Sequence, residues 1–246
     1  MSGGTLSGKG VLVIGAGGLG GPALLALAAA GVGRIVLVDG DAVETSNLNR
    51  QPLFGEADLG RRKAAAAAER LARLHPSVRV EPRDGRFDAG NALELAGSVD
   101  LIVDGSDNFA TKFLASDIAM LSRRPLVHGG VLRYTAQLLT VVPGQTGCLR
   151  CLFEAPPPEG SVPTCAEAGV LGPLAGFAGA LMGAEALRLL GGDRGAYAGR
   201  MVIFEGRTAR TRLVPVRIRP GCPACGGVQG ATRPAAPPPG AAGAPA

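Results

Sequence analysis

The chain has 246 residues, 46% of them hydrophobic and 18% charged, with a formal net charge of +5. This length suits one domain with a buried core, and the composition is typical of a soluble globular protein. Proteins that bind nucleic acids by stacking bases on aromatic side chains need several such side chains. Because there is no tryptophan and there are only two tyrosines, we expect no nucleic-acid partner of this kind. The modest positive charge, spread over scattered arginines, is compatible with anionic ligands or an acidic partner protein.

No membrane or export segment is predicted. The first residues, MSGGTLSGKG, lack a basic stretch followed by a long apolar run, so we expect no secretion signal. The longest apolar segment, about 170–190, is interrupted by glycines and carries Pro173, Glu185 and Arg188. We predict a buried or half-buried helix there and no membrane span. These features favour a cytoplasmic, reducing location, where paired cysteines bind metal more often than they form disulfides.

Short β-rich runs alternate with helical runs along the chain. The predicted strands cover residues 11–14, 34–38, 78–80, 101–103 and 126–127, and the predicted helices cover about 20–30, 61–74 and 109–121. This alternation predicts an α/β fold with a Rossmann-like, mostly parallel sheet and helices on both faces. A longer strand at 132–142 without a following helix, and further strands at 201–205 and 211–216, predict an antiparallel extension. We expect residues 1–229 to form one domain and 230–246, rich in Ala, Pro and Gly, to be a disordered tail.

A glycine-rich loop joins the first predicted strand to the first helix. It contains Gly15, Gly17, Gly18 and Gly20, and Asp39 ends the next strand. The glycines let phosphates approach the backbone, the helix N-terminus offers free N–H groups, and the acid can accept hydrogen bonds from a ribose. The loop predicts nucleotide binding but leaves the nucleotide open, because NAD-dependent oxidoreductases share this fingerprint.

A polar cluster follows Asp39 in segment 39–51. Its members are Asp41, Ser46, Asn47, Asn49, Arg50 and Gln51. A triphosphate with Mg²⁺ needs such groups, whereas a dehydrogenase needs no polar cluster at this point. Arg50 can grip a phosphate with two N–H groups, and Lys63 on the following helix is a second cation. The alternative for each residue taken singly is a solvated loop side chain.

Asp107 and Asn108 come just after the strand predicted at 101–103. Ligands of open α/β sheets bind at the carboxyl edge of the strands, so both residues are candidates for the nucleotide site. A carboxylate at Asp107 is placed to bind Mg²⁺ as a hard oxygen ligand. The alternative role for Asp107 is to cap the helix predicted at 109–121, and the two roles are compatible.

Four of the five cysteines form two CxxC pairs, Cys148/Cys151 and Cys222/Cys225. Four thiolates in two such pairs fit a structural, tetrahedral zinc site. A redox role is the disfavoured alternative, because neither pair is predicted at a strand-to-helix turn. The fifth, Cys165, is predicted to lie in a proline-rich loop and is either a small buried side chain or a nucleophile toward an activated acyl group.

The two histidines offer little chemistry. His75 precedes Pro76 at the end of a predicted helix, where we expect a capping role. His128 ends a predicted core strand beside two glycines, and we expect a packed structural residue there.

Taken together, these residues resemble the MoeB/ThiF/HesA family, the bacterial relatives of ubiquitin-activating enzymes. The resemblance runs from Lys9 to Cys225 and is carried by the glycine loop, Asp39-x-Asp41, Ser46-Asn47-Leu48-x-Arg50-Gln51, Gly60-x-x-Lys63, Ser106-Asp107-Asn108, the two cysteine pairs and Thr164-Cys165-x-Glu167-Ala-Gly169-Val170. It implies an adenylyltransferase with an ATP–Mg²⁺ site formed by Gly18, Asp39, Asn47, Arg50, Lys63 and Asp107. The implied partner is a ubiquitin-like sulfur-carrier protein ending in Gly-Gly.

In the implied reaction the carrier's C-terminal carboxylate attacks the α-phosphate of ATP and expels pyrophosphate. Arg50, Lys63 and Asp107 are the implied catalytic residues, and the position of Cys165 is the family's candidate for a covalent acyl intermediate. The resemblance also implies a homodimer and a separate sulfurtransferase or cysteine desulfurase as sulfur donor. The product would serve molybdopterin, thiamin or specialised thio-metabolite biosynthesis.

One feature of the family is missing from this sequence. Members usually begin with an arginine-bearing helix before the first strand, and residues 1–10 contain no arginine. One alternative to the enzyme is therefore a non-catalytic scaffold that binds a ubiquitin-like partner. An NAD-dependent oxidoreductase is the other alternative.

Overall fold

The computed structural model describes residues 6–158, 160–163 and 165–226, with the backbone alone for residues 165 and 166. The tail predicted at 230–246 lies outside the described residues. Within them the strands are β1 (Gly10–Ile14), β2 (Arg34–Asp39), β3 (Arg79–Asp84), β4 (Leu101–Asp104), β5 (Leu126–Leu132), β6 (Thr135–Val141), β7 (Arg200–Glu205) and β8 (Arg210–Pro215). The α-helices are α1 (Gly20–Ala29), α2 (Lys63–Leu74), α3 (Ala92–Gly97), α4 (Phe109–Ser122), α5 (Leu149–Leu152), α6 (Cys165–Ala168) and α7 (Gly172–Leu190).

All eight strands form one sheet in the order β3-β2-β1-β4-β5-β6-β7-β8. The first five strands are parallel, and β6, β7 and β8 add antiparallel pairs. The order 3-2-1-4-5 is that of a Rossmann-like fold. The predicted fold class, including its antiparallel extension, is confirmed.

The boundary between β5 and β6 differs from the prediction. Residues 126–132 form one continuous strand, and a tight turn at Arg133, with φ of 52°, leads into β6. The two glycines in this strand suggested an early end. Gly129 instead leaves room for the buried side chain of Met182 on α7, because a Cβ there would lie 2.2 Å from the Met182 sulfur.

The sheet separates two apolar layers. Val11 and Val13 of β1 face a layer with α1, α2 and α7, whereas Leu12 and Ile14 face a layer with α3, α4, α5 and the paired cysteines. Alternate residues of a strand point to opposite faces, so a strand covered on both faces is apolar throughout. Both layers leave the carboxyl ends of the parallel strands uncovered, and this is where the polar motifs of the sequence are found.

Helix α7 would be long and apolar enough to cross a membrane, with a mean hydropathy of 1.2. It packs instead on α1, β5 and β6, and buries Leu174, Met182 and Leu190. Its one buried acid, Glu185, is 1% exposed and accepts hydrogen bonds from Thr140 and from the backbone N–H groups of residues 196 and 197. The apolar composition of α7 is thus explained by packing, as predicted.

We expect Glu185→Ala to lower the free energy of unfolding by about 3 kcal/mol, because it leaves the buried Thr140 hydroxyl and two part-buried backbone N–H groups without their acceptor. Urea denaturation would measure the loss. Arg188→Ala is the control on the same helix, since Arg188 forms an exposed pair with Asp193 and its removal should change stability by less than about 1 kcal/mol. Equal losses in the two variants would contradict this role of Glu185.

Candidate functional site

The polar motifs meet at the carboxyl ends of β1, β2 and β4, where the strand order reverses. A cleft of about 610 Å³ opens there, and a second, polar cavity of about 380 Å³ adjoins it. The two share the lining residues Gly40, Asp41, Arg50, Gln51, Lys63 and Asp107. Switch points of this kind are the usual ligand sites of open α/β sheets.

The glycine loop forms one wall of the cleft. Gly15, Gly17 and Gly18 line it, and Gly15 has a φ of 86°, which favours glycine. Gly20 lies outside the lining and begins α1, and a Cβ there would meet the carbonyl oxygen of Gly15 at 1.7 Å. Gly20 therefore permits the tight strand-to-helix turn and does not itself face the cleft, in contrast to the predicted binding role.

Asp39 fastens the glycine loop to the end of β2. Its Oδ2 accepts a hydrogen bond from the N–H of Ala16 at 2.7 Å, and its Oδ1 accepts one from the N–H of Asp41 at 2.9 Å. Burial raises the pKa of Asp39, and these two hydrogen bonds oppose the rise. The carboxylate still lines the cleft, where its remaining lone pairs can accept hydrogen bonds from a ligand.

Arg50 is held in place by two of the predicted site residues. Its Nη1 donates to the carbonyl oxygen of Ser46 at 2.8 Å and to Oδ1 of Asn49 at 3.1 Å. Ser46 and Asn49 line neither cavity, whereas Arg50 lines both. Ser46 and Asn49, which the sequence predicted to bind the nucleotide, thus orient the Arg50 guanidinium that lines the two cavities.

Two buried amide oxygens in this region have no partner. Oδ1 of Asn47 and Oε1 of Gln51 accept no hydrogen bond from any described residue, although the side chains are only 8% and 4% exposed. A buried polar atom left unpaired is costly and is rare without a ligand or water. Since Asn47 lines the smaller cavity and Gln51 lines both, their oxygens fit a site completed by a polar ligand.

Lys63 is the first residue of α2, two residues later than the predicted helix start. It is 6% exposed, and its Nζ lies 3.0 Å from Oδ2 of Asp41. The backbone N–H of Lys63 also donates to the carbonyl oxygen of Asp41 at 2.9 Å. Asp41 thus holds a nearly buried ammonium at the shared wall of both cavities.

Asn108, and not Asp107, caps α4. Oδ1 of Asn108 accepts a hydrogen bond from the N–H of Thr111 at 2.9 Å, so the capping alternative for Asp107 is wrong. The exposed Asp107 carboxylate has no hydrogen bond or ion pair among the described residues and lines both cavities. It is available to a cation or a hydrogen-bond donor.

The charges along the cavities are nearly balanced. The lining cations are Arg50, Arg62, Lys63 and Arg86, and the lining acids are Asp39, Asp41, Glu44, Asp88 and Asp107. Such a site suits a polyphosphate that enters with a divalent cation, because the acids would repel the bare anion.

Sequence reasoning missed the segment 85–89, which follows β3 and lines the cleft. Residues 79–84, RVEPRD, are largely exposed and polar, so only the first two were predicted as strand. Because β3 is parallel to β2, its carboxyl end lies at the same edge of the sheet as Asp39. The polar turn Asp84-Gly85-Arg86 was the available signal.

A second polar cluster lies behind the cleft, between β4, β5 and α4. The carboxylate of Asp104 lies 2.8 Å from Nδ1 of His128 and 3.7 Å from Nζ of Lys112. Burial alone would raise the pKa of Asp104, but Lys112, His128 and Ser106 hold it well below its usual range. Burial and the Lys112 charge lower the pKa of His128 despite the opposing effect of Asp104, so His128 is neutral at neutral pH and donates its Nδ1–H. His128 is a packed structural residue, as predicted, and His75 caps the C-terminus of α2.

The paired cysteines converge on one point beneath α4. Their four sulfur atoms lie within 4.8 Å of one another, with separations of 3.9 Å (Cys148–Cys151), 3.7 Å (Cys148–Cys222) and 3.3 Å (Cys151–Cys225). Burial raises the pKa of Cys148 to about 11, whereas at Cys222 burial is outweighed by backbone hydrogen bonds from Cys225 and Ala224, which lower the pKa to about 7. The fifth cysteine, Cys165, begins the one-turn helix α6 and does not lie in an extended loop, and its side chain lies outside the described part.

Comparison with known proteins gives the family. A model of the ThiF family matches residues 4–224. The chain belongs to the ThiF family. This ThiF-family chain is 46% identical over 221 residues to the sulfur carrier protein adenylyltransferase of Thermus thermophilus, covering 88% of this chain and 82% of that protein.

Two further comparisons agree with this. The chain is 44% identical over 216 residues to the SAMP-activating enzyme E1 of Haloferax volcanii, covering 88% of this chain and 80% of that protein. The crystal structure of E. coli MccB with ATP superposes with a TM-score of 0.80 at 22% identity, covering 90% of this chain and 68% of that chain. The latter likeness is one of fold.

We expect the stability of this ThiF-family protein to depend on pH through His128. The unfolded chain binds a proton at His128 below pH about 6.5, which the folded protein resists, so the stabilisation is present above that pH and is lost as the pH falls from there through the lower pKa of the folded protein. Urea denaturation in steps from pH 7.5 to 6 should give a slope that steepens to about 1 kcal/mol per pH unit near pH 6, which His128→Gln removes. His75→Gln should keep the slope, and an unchanged slope in His128→Gln would refute the assignment.

Proposed function

We propose that this protein uses ATP to adenylate the C-terminal glycine carboxylate of a ubiquitin-like sulfur-carrier protein that ends in Gly-Gly. The observation that carries the proposal is one continuous site, in which a phosphate-type glycine loop faces Arg50, Lys63, the unpaired Asp107 and two orphaned amide oxygens. The name of the Thermus thermophilus relative, sulfur carrier protein adenylyltransferase, supports the same reaction.

Each part of the site has a role in holding ATP. Gly17 and Gly18 let the phosphates approach the backbone at the start of α1, where N–H groups and the helix dipole favour anions. Asp39 accepts hydrogen bonds from the ribose. Arg50 and Lys63 bind the phosphate oxygens at the cavity that Asn47 and Gln51 complete.

The reaction is an in-line displacement. A carboxylate oxygen of the carrier forms a bond to the α-phosphorus, the bond from the α-phosphorus to the bridging oxygen of the β-phosphate breaks, and pyrophosphate leaves with that electron pair. The nucleophile is already an anion, so no general base is needed. Arg50 and Lys63 therefore act by neutralising charge and by positioning.

Asp107 fits a Mg²⁺ ligand, because it is an unpaired carboxylate beside the cavity of Arg50 and Lys63. When bound, Mg²⁺ would supply charge neutralisation on the phosphate oxygens. A nicotinamide ring fits the smaller cavity poorly, since charged and amide side chains line it. This favours ATP over the NAD-dependent alternative.

The carrier's tail would enter past the apolar part of the cleft, formed by Val131, Val170 and Ala175. A Cβ at Gly18 would lie 3.1 Å from the Cβ of Ala175, so the glycine loop packs directly on α7 beside this part of the cleft. A Gly-Gly tail suits these walls because its residues carry no side chains that would clash with them. A homodimer, a separate sulfurtransferase or cysteine desulfurase, and a cytoplasmic location belong to the same proposal by family resemblance.

The cysteine cluster fits a structural Zn²⁺ ion. Four thiolates at about 2.3 Å from a tetrahedral zinc would lie about 3.8 Å apart, and two of the sulfur separations are 3.7 and 3.9 Å. All four ligand positions come from the chain, which leaves none for water and argues against a catalytic metal.

Arg50→Ala and Asp107→Ala should each lower carrier-dependent pyrophosphate exchange into ATP by about 100-fold or more, since each removes charge stabilisation at the phosphates. The assay combines the purified protein with ATP, Mg²⁺ and candidate carriers ending in Gly-Gly. Arg61→Ala is the matched control, because Arg61 pairs with Asp58 and Glu69 at the surface and lines neither cavity.

The alternatives give different results in the same assay. Binding of ATP by calorimetry without pyrophosphate exchange for any carrier would support the non-catalytic scaffold. Binding of NADH, detected by its fluorescence, without binding of ATP would support the oxidoreductase. Full exchange activity in Asp107→Ala would refute the role given to that carboxylate.

The purified protein should contain one Zn²⁺ per chain by elemental analysis, and Cys222→Ser should lose it. We also expect Cys222→Ser to be destabilised by several kcal/mol, on the order of 3–5, because a filled structural zinc site contributes folding energy. Cys165→Ser is the control and should retain the zinc. Zinc retained in Cys222→Ser would contradict the four-ligand assignment.

A further inference from the structure

The turn that carries Asp107 is held on its buried side by the carboxylate of Asp104. Asp104, the last residue of β4, is fully buried, and its Oδ1 accepts hydrogen bonds from the N–H of Ser106 at 3.0 Å and from its Oγ–H at 2.6 Å. Ser106 directly precedes Asp107. These two bonds therefore fix the backbone from which the Asp107 carboxylate projects.

The same carboxylate is tied to two other elements. Oδ2 accepts a hydrogen bond from Nδ1 of His128 on β5 and lies 3.7 Å from Nζ of Lys112 on α4. Lys112 also donates to the carbonyl oxygen of Gly129 at 2.5 Å. Because Asp104 and Lys112 lie on either side of Asp107 in sequence, their ion pair closes this segment of the chain on itself.

The surroundings make this ion pair unusual. The apolar layer on this face of the sheet contains the buried side chains of Ile102, Phe113 and Leu126. Among the described residues, Lys112 supplies the full positive charge beside Asp104, since burial lowers the pKa of His128. A buried ion pair costs desolvation that an apolar filling would avoid. What the pair adds is a fixed geometry for the turn in front of it.

The turn also abuts the glycine loop. A Cβ at Gly105 would lie 2.8 Å from the backbone nitrogen of Gly20, and the N–H of Gly105 donates to the carbonyl oxygen of Ile14 at 2.9 Å. A displaced turn would therefore change the position of Asp107 relative to the phosphate loop. Displacements of about 1 Å in a reacting site can cost on the order of 100-fold in rate.

We propose that Asp104 and Lys112 are positioning residues that hold the Asp107 carboxylate at the nucleotide site before ATP binds. The inference rests on the proposed adenylation and adds two residues to it that touch no substrate. The inference predicts that their effect on activity is carried by the position of Asp107, and this makes it separable from a general contribution to stability.

A double-mutant cycle tests the coupling. Lys112→Met should lower kcat for carrier-dependent pyrophosphate exchange by about 10- to 100-fold, with the KM for the carrier unchanged, and should cause no further loss in an Asp107→Ala background. Lys112→Arg should restore most of the activity, because it returns the charge. An equal loss in both backgrounds would overturn the proposal.

The controls separate positioning from folding. Lys9→Met removes an exposed lysine–aspartate pair, Lys9–Asp100, at the opposite edge of the sheet, and should leave exchange activity unchanged. If Lys112→Met does not fold, as judged by thermal unfolding and zinc content, Ser106→Ala carries the same cycle. Ser106→Ala removes one hydrogen bond to Asp104, and its smaller loss should likewise vanish in the Asp107→Ala background.

A second measurement does not depend on ATP. If the wild-type protein shows no pyrophosphate exchange with any carrier, the adenylation proposal fails, and amide hydrogen exchange then decides the positioning role. The N–H of Ser106 should exchange with solvent about tenfold faster in Lys112→Met than in the wild type, while that of Val13 in β1 stays unchanged. Equal exchange of the Ser106 amide in the two proteins would overturn the proposal.

Discussion

The site depends on the close approach of two backbone segments where the strand order reverses. Gly15, Gly20 and Gly105 meet there, and a Cβ at Gly20 or Gly105 would lie within 3 Å of another backbone atom. Any larger side chain would push the glycine loop away from the turn after β4. This steric constraint brings the phosphate loop and Asp107 together at one cleft, although they come from different strand-to-helix connections.

Two buried carboxylates complete this arrangement, one at the end of β2 and one at the end of β4. Asp39 and Asp104 both accept hydrogen bonds from backbone N–H groups of a neighbouring turn. Their pKa values shift in opposite directions, since burial dominates at Asp39 whereas Lys112 and His128 stabilise the charge of Asp104. The Asp39 carboxylate lines the cleft, where it can bind a ligand, whereas the Asp104 carboxylate is fully buried and holds the turn after β4 by hydrogen bonds.

The antiparallel half of the sheet supports the site indirectly. The cysteine pairs connect the segment after β6 to the segment after β8. Helix α5, which lies in the first of these segments, is in turn hydrogen-bonded to α4. The guanidinium of Arg150 forms two hydrogen bonds with Asp117, at 2.7 and 2.8 Å, and the N–H of Leu149 donates to Ser116 at 3.2 Å. Since α4 begins at the Asn108 cap, the cluster braces the helix that carries both Asn108 and Lys112.

The sequence by itself determined the α/β fold, the glycine loop and the convergence of the cysteine pairs, because these depend on local periodicity, turn chemistry and residue spacing. Only the tertiary structure decided that Asn108 caps α4, that Ser46 and Asn49 orient Arg50, and that segment 85–89 lines the cleft. It also decided the partners of Lys112. Such assignments depend on which side chains meet when strands distant in sequence become neighbours in the sheet, and no local pattern records the outcome of that packing.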